Sequence, residues 1–576
     1  MPGFQFTATH TQVAAYLLGV ALFSISFLVF VNSSLSFVIT QRIGQAHNVG
    51  DAVGTLGFVD ELVALVACPA WGLLSDRVGV RSVAVAGYAL VGVALGALVQ
   101  ARNVYPELLL ARVLFSLGGS ATATMVTAIL PSMTHVRPVA PVAPSPSPRS
   151  GRAHTGAPSI SSQLTITPAR FRSGSCGPVA RADSGASTSQ LAGLVGVFTG
   201  CGALVALLVF LPLPTRFQKA GESPAAAVAD AFYVVAAVAL LVALGCFFGL
   251  RQLPGEENKG WQRIATKDNT KVQDLSARNS VLSYTRLFLE SVRLGFHAPN
   301  IGLAYVGGFV ARASSVAISL FIPLFTNHYF LQTGRCTVEH DSPSDIKNAC
   351  PQAYKLAAML TGISQLIALM CAPLFGYLSG RFPRYNIPLT VAAVAGVAGY
   401  SAFGSLTSPD YKSEDGTGAI FFVIALLGIS QIGAIVCSLS LLACGINSEE
   451  AASHTHTSAE DIVEEASHPS AGATPSTSAP ISPVHEEAPL LPRMHSSSQS
   501  DSAGVQSLNH IKGSIAGTYS LLGGFGILLL TKAGGALFDS SGPGTPFYMM
   551  AGFNAVLLLV TVGVSGWQAL QLGREV

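Results

Sequence analysis

Long runs of apolar residues alternate with shorter polar segments along nearly the whole chain. A helix needs about 20 apolar residues to cross the hydrocarbon core of a bilayer, and twelve runs reach about this length. The predicted spans are 12–32, 53–74, 82–100, 107–130, 188–212, 228–250, 300–326, 355–378, 387–406, 418–445, 512–537 and 546–570. Charged residues lie within several of them, among them Asp60 and Glu61 in the second span and Lys532 in the eleventh. The pattern predicts an all-α membrane protein with twelve transmembrane helices.

The composition agrees with this pattern. Only 11% of the 576 residues are charged, whereas charged residues make up roughly 25% of a soluble globular chain. The net charge of +2 and the spread of basic residues over several loops argue against a nucleic-acid partner. No pattern typical of catalytic, metal or cofactor sites is visible, so we expect neither enzymatic activity nor a bound metal or cofactor.

Lysine and arginine favour one side of the predicted topology. The loops that follow even-numbered spans carry most of these residues, including Arg77 and Arg81 after the second span and Arg381 after the eighth. Cytoplasmic loops are enriched in lysine and arginine. These loops, and with them both termini, are therefore predicted to be cytoplasmic.

Three long cytoplasmic connections divide the chain into two groups of spans. The predicted organisation is a first bundle at 1–131 and 188–250, a second bundle at 299–446 and 511–576, and loops at 132–187, 251–298 and 447–510. The first and third loops are rich in polar residues and proline, a composition that predicts disorder. Apolar residues at helical spacing between Val281 and Phe296 predict an amphipathic helix on the membrane surface within the middle loop.

The two groups of spans contain a repeated sequence. The end of the second span and the loop after it, WGLLSDRVGVR (Trp71–Arg81), align with FGYLSGRFPRY (Phe375–Tyr385) after the eighth span. Glycine, leucine, serine and arginine coincide in the two copies, whereas Gly380 stands where the first copy has Asp76. This repeat indicates that a six-helix unit has been duplicated.

Trp71–Arg81 resembles the Gly-x-x-x-Asp-Arg-x-Gly-Arg signature between the second and third helices of the major facilitator superfamily. The match is at Gly72, Asp76, Arg77 and Gly79, and Arg81 follows one position late. RVLFSLGGSA in the fourth span resembles the superfamily's Arg-x-x-Gln-Gly-x-Gly pattern, with Arg112 in the position of its arginine. The resemblance is strongest to fungal members of the drug:proton antiporter and vesicular-transporter branch.

This resemblance implies the major facilitator fold, in which two pseudo-symmetric six-helix bundles surround a central cavity. It also implies that Asp76 latches the two bundles together on the cytoplasmic side, and that this latch breaks when the carrier changes conformation. An ordinary solvated loop is the alternative for this motif. Because Gly380 replaces the aspartate in the second copy, any latch is one-sided.

The charges within the spans are the candidates for coupling and substrate binding. A charged side chain in the middle of a transmembrane helix costs about 2.5 to 3.5 kcal/mol on insertion scales. Asp60 or Glu61 is expected to pair with Arg112, which lies at a similar depth in the fourth span. The pair either exchanges a proton during transport or is a static ion pair, and the spacing does not decide between them. Arg312 is expected to face the bundle interior and to meet an anionic group or a carboxylate.

Two further features concern the loops. Cys336 and Cys350 flank the one sizeable non-cytoplasmic loop, where an oxidising environment permits a disulfide. The segment EEAPLL, with Glu486, Leu490 and Leu491, resembles an acidic dileucine signal read by sorting adaptors. It favours a vacuole or another endomembrane over the plasma membrane.

Together these features predict a monomeric, multi-pass secondary active transporter in the lipid bilayer. It would move a small organic solute by alternating access, coupled to protons, with antiport favoured. A facilitative uniporter of the same fold and a non-transporting membrane receptor or scaffold are the alternatives. The sequence does not identify the solute.

Overall fold

The computed structural model describes residues 8–45, 49–134, 178–254, 256, 276–334, 351–382, 386–411, 416–466 and 511–572. This part of the chain is almost entirely helical and contains no strand. Twelve of its helices are long and apolar enough to cross a membrane, as predicted, and the chain is a multi-pass integral membrane protein. Cys336, Cys350 and the segment with Glu486, Leu490 and Leu491 lie outside the described residues.

The first six spanning helices are α1 (His10–Ile43), α2 (Ala52–Val78, with helical residues from Val49), α3 (Val80–Leu98), α4 (Val104–Met133), α5 (Ser187–Lys219, with helical residues from Pro178) and α6 (Pro224–Gly249). A further helix, α7 (Ser276–His297), follows. The last six spanning helices are α8 (Pro299–Gln332), α9 (Pro351–Arg381), α10 (Ile387–Gly404), α11 (Ala419–Ala466), α12 (Lys512–Ser541) and α13 (Thr545–Leu572).

Helices α1–α6 pack into one bundle and α8–α13 into a second, the predicted architecture. Large side chains fill both bundles. Phe30 packs against Phe232 in the first, with ring centroids 4.9 Å apart, and Phe403 packs against Phe547 in the second at 4.4 Å. Buried apolar residues thus pack within each bundle, and the same core continues across the interface between them.

Several helices extend beyond the predicted spans because a hydropathy window registers only the apolar part of a helix. The first helix, for example, continues through Arg42 to Ile43. The largest difference is in the loop predicted to be disordered at 447–510, since α11 continues to Ala466. The extension is rich in alanine and glutamate, which favour helix. The helix predicted over 281–296 lies within α7.

Gly79 alone separates α2 from α3, and its backbone explains why glycine stands there. Its φ of 95° and ψ of 146° lie in a region that residues with a side chain rarely adopt. The backbone N–H of Val80, the next residue, donates a hydrogen bond of 2.9 Å to the carboxylate of Glu256. We call the end of the two bundles that contains Gly79 the motif side, and the opposite end the far side.

Candidate functional site

One face of α2 lies against α12 of the other bundle. Phe58, Glu61, Leu65, Cys68, Gly72 and Asp76 recur at intervals of three or four residues, which places them in a single stripe on the helix. The ammonium of Lys532 in α12 lies 4.1 Å from the ring centroid of Phe58. At the motif side, a Cβ added to Gly72 would lie 2.9 Å from the Cα of Gly517, so glycines allow the two backbones to approach closely.

Asp76 joins the bundles at the motif end of this stripe. Its carboxylate accepts hydrogen bonds from the backbone N–H of Gly513 at 2.6 Å and from the backbone N–H of Ser514 at 2.7 Å. The hydroxyl of Ser514 donates a third at 2.5 Å. These groups form the first turn of α12, whose own N-cap residue, Ile511, offers no side-chain hydrogen bond. Asp76 of the first bundle thus caps a helix of the second, where the helix dipole also favours an anion.

The repeated copy makes the equivalent contact without an acid. Gly376 of α9 packs against Gly193 of α5, where an added Cβ would meet the opposite Cα at 2.7 Å. The hydroxyls of Ser189 and Ser440 lie 2.6 Å apart across the bundles, and Ser379 donates to Ser440 at 3.2 Å. Neutral hydroxyl groups thus make the contact that Asp76 makes in the first copy. This agrees with the sequence, in which Gly380 replaces the aspartate.

The other motif residues have different positions. Arg81 donates from Nε to the carbonyl of Phe247 at 2.9 Å, and its guanidinium carbon lies 4.3 Å from the centroid of that ring. Because Phe247 belongs to α6, Arg81 stabilises the first bundle internally. Arg77 ends α2 next to Asp76, and Arg381 is exposed at the end of α9.

A polar cluster lies inside the first bundle. One Nη nitrogen of Arg112 lies 2.7 Å from Oδ2 of Asp60 and 2.6 Å from Oδ1 of Asn32, so a single guanidinium links α4, α2 and α1. Arg112 is only 1% exposed. Its Nε and other Nη, and Oδ1 of Asp60, have no hydrogen-bond partner among the described residues. The cluster therefore retains unused donors and an acceptor in a buried setting, where each is costly.

Asp60 and Glu61 point in different directions because neighbouring positions are about 100° apart on a helix. Asp60 faces Arg112 within its own bundle, whereas Glu61 belongs to the stripe that faces the second bundle. Glu61 is within electrostatic range of Arg312, which α8 contributes from that bundle, and of Asp60 and Arg112 in its own bundle. Neither Glu61 nor Arg312 makes a hydrogen bond or a direct ion pair in the part of the chain that the structure describes.

Sequence reasoning identified Asp76, Asp60, Glu61, Arg112 and Arg312 as candidates, and the structure brings four of them into two groups: Asp60 with Arg112, and Glu61 across from Arg312. Sequence reasoning did not indicate that Ser514 and Glu256 are partners of the motif. The only signal for Ser514 was a small polar residue at the start of the eleventh predicted span.

The comparisons with known proteins agree with this architecture. The model of the family described as Major Facilitator Superfamily matches residues 21–138, which include Trp71–Arg81 and Arg112. No curated protein sequence matches the chain significantly.

Several solved transporters resemble the whole chain in structure. The proton:xylose symporter XylE is 11% identical with a TM-score of 0.52, over 95% of this chain and 94% of XylE. The transporter FucP in its outward conformation is 12% identical with a TM-score of 0.52, over 96% of this chain and 99% of FucP. The human organic anion transporter MFSD10 is 13% identical with a TM-score of 0.48, over 96% and 99%. The likeness to XylE and FucP shows that the chain has the major facilitator fold.

Proposed function

We propose that this protein is a secondary active transporter of the major facilitator superfamily, which moves a small organic solute across the membrane by alternating access. The observation that carries the proposal is the contact between Asp76 of the first bundle and the first turn of α12 in the second. This contact lies at the motif-side end of the interface, beside the hydroxyl contact of Ser189 with Ser440. A carrier needs contacts of this kind at one end of its bundles, because it must close one side and later open it.

The chemistry of the contact suits repeated breaking and forming. Three short hydrogen bonds to one anion stabilise the closed motif side. When the bundles separate there, both the carboxylate and the N–H groups of α12 regain water, so the cost of opening is modest. Glycine contacts on both sides of the pseudo-symmetric interface, at Gly72 and Gly376, add close packing without interlocking side chains.

Proton coupling is assigned to Asp60 and Arg112. A proton on Asp60 would cancel the charge that Arg112 pairs with, and the freed guanidinium would then seek another anion or rearrange. Nε and one Nη of Arg112 and Oδ1 of Asp60 make no hydrogen bond among the described residues, so these atoms are available for new hydrogen bonds after such a rearrangement. Antiport is proposed from the resemblance to the drug:proton antiporter branch. XylE and FucP are named as proton symporters, and the sign of the gradient dependence separates the two modes.

The test is transport by the purified full chain in proteoliposomes with an imposed proton gradient. The transported solute should accumulate in the proteoliposomes against its own gradient. This accumulation should stop when an ionophore collapses the proton gradient. Asp60→Asn should retain exchange at equal pH but lose accumulation at least tenfold. Glu290→Gln is the matched control, since Glu290 is exposed on α7. If collapse of the proton gradient leaves solute flux through the parent protein unchanged, a facilitative uniporter is favoured.

The same proposal assigns the motif side to the cytoplasm, because the basic loops lie there. The membrane would be that of a vacuole or another endomembrane, as the segment with Glu486, Leu490 and Leu491 predicts.

A further inference from the structure

Two opposite charges face each other across the interface of the bundles. Glu61 belongs to the α2 stripe of the first bundle, and Arg312 belongs to α8 of the second. They interact electrostatically but make no direct ion pair and no hydrogen bond among the described residues. Each side chain is half-buried in the membrane-spanning region. A charge in such a place is normally paired or hydrogen-bonded, because an unpaired charge is unfavourable there.

Packing around α12 places the two charges at a similar depth. The side-chain stem of Arg312 lies against Gly523, where an added Cβ would be 2.7 Å from Cγ of the arginine. The neighbouring Gly524 faces Leu65 of α2, at 3.6 Å by the same measure. Leu65 is one helical turn from Glu61. Glycine at 523 therefore lets the arginine lie close to the surface that meets α2.

Apolar side chains lie beside the two charges on α2 and α12. Leu65 and Cys68 follow Glu61 on the α2 stripe, and Tyr519 lies one turn along α12 from Gly523. The hydroxyl of Tyr519 is held by the hydroxyl of Ser438 at 2.9 Å, so the ring presents its apolar part to its other neighbours. The site thus offers an anion and a cation that make no direct ion pair with each other, with apolar surface beside them, and Asp60 and Arg112 of the first bundle also act electrostatically on Glu61.

We propose that Glu61 and Arg312 bind the two ends of a small zwitterion, with the chemistry of an α-amino acid that has an uncharged apolar side chain. Its ammonium lies at Glu61 and its carboxylate at Arg312, whose guanidinium suits a carboxylate in planar, bidentate geometry. The ligand thus supplies a direct ionic partner to each of these two side chains. This inference rests on the proposed transport function and names the substrate class of that site.

Such a ligand also connects binding to movement. Because its two ends are held by different bundles, its affinity depends on the distance between them. A ligand shifts a conformational equilibrium only as far as its affinities for the two states differ. A ligand that bridges the bundles has different affinities for the two states, because the distance between the bundles changes.

The test measures binding to the purified full chain in lipid nanodiscs, where no gradient is required. The probes are L-phenylalanine and L-leucine, each with its amide, which lacks the carboxylate, and its N-acetyl derivative, which lacks the ammonium. We expect at least one amino acid to raise the Tm of the protein in a saturable manner, and both of its derivatives to bind at least tenfold more weakly. The absence of a shift with both amino acids, or equal binding of a derivative, overturns the proposal.

Variants assign the two ends. Arg312→Gln should weaken binding of the amino acid at least tenfold, so that it binds no more tightly than the amide binds to the parent, whereas Arg312→Lys should retain part of the affinity. Glu61→Gln should remove the preference for the free amine over the N-acetyl derivative. Arg216→Gln and Glu290→Gln, both at exposed positions, are the matched controls. Unchanged selectivity in folded Glu61→Gln and Arg312→Gln proteins contradicts the assignment.

The two proposals fail in different ways. If Asp60→Asn binds the amino acid as the parent does and transport ignores the proton gradient, the coupling proposal is wrong and the substrate class stands. If proton-driven flux of another solute is measured and neither amino acid binds, the substrate class is wrong and the transport function stands.

Discussion

At the scale of single residues, adjacent acids in α2 have separate tasks. Asp60 turns into its own bundle and pairs with Arg112, while Glu61 faces the other bundle and Arg312. The sequence predicted that one acid would pair with Arg112, because an uncompensated charge in a span is costly. It did not predict which acid, since that depends on how α2 is rotated against α4. Nor did it place Arg312 opposite Glu61, because that contact depends on the packing of three helices from two bundles.

Asp76 shows the same limit. Its motif was recognisable over a few residues, but its partner Gly513 is 437 positions away. No local pattern connects two such segments, and only the approach of α2 and α12 brings them together.

Removing the carboxylate of Asp76 should favour opening of the motif side. Loss of a helix-capping side chain costs about 1 kcal/mol, so Asp76→Ala should raise the open population roughly fivefold. Cys68, which is buried where α2 meets α12, should then react with N-ethylmaleimide roughly fivefold faster, as measured by mass spectrometry. Cys246, buried within the first bundle, provides the internal control. An unchanged rate at Cys68 would show that the carboxylate does not hold this side closed.

At the scale of elements, the spacing of small residues on α2 determines how closely it approaches α12. Hydropathy predicted that both helices exist and where they lie along the chain, because the number of apolar residues in a span is set by bilayer thickness. It did not indicate that they would contact each other. The glycines were visible in the sequence, but their partners depend on the tertiary arrangement.

A pair of glycine variants tests this contact. Gly72→Ala should destabilise the protein, because the new Cβ would meet the backbone of Gly513 and Gly517, and overpacking typically costs about 1 to 3 kcal/mol. Gly96→Ala in α3 gains the same helix propensity but has open space around the new methyl group. We expect the Tm of the purified protein to fall by several degrees for the first variant and to stay level or rise for the second. A similar Tm for both would mean that close approach at Gly72 is not required.

In the molecule as a whole, the two bundles meet at the motif side through two contacts of different chemistry. One is the charged contact of Asp76 with α12, and the other is the hydroxyl contact of Ser189 with Ser440. A hydrogen bond from Asn447 of α11 to Thr134 at the end of α4, at 3.4 Å, adds to them. The first two contacts lie at the aligned segments Trp71–Arg81 and Phe375–Tyr385, through Asp76 in one and Ser379 in the other. The described structure therefore has its motif side closed.

Transport by alternating access requires that these bundles move against each other, so that one side opens as the other closes. Electron-spin distance measurements can detect this movement, with labels introduced through an unnatural amino acid so that the native cysteines stay unchanged. One pair is placed at Arg251 and Arg381 on the motif side and another at Arg102 and Asp539 on the far side, all of them exposed. We expect Asp76→Asn to lengthen the first distance and to shorten the second within the same population of molecules. Distances that stay fixed, or that lengthen together on both sides, would contradict alternating access.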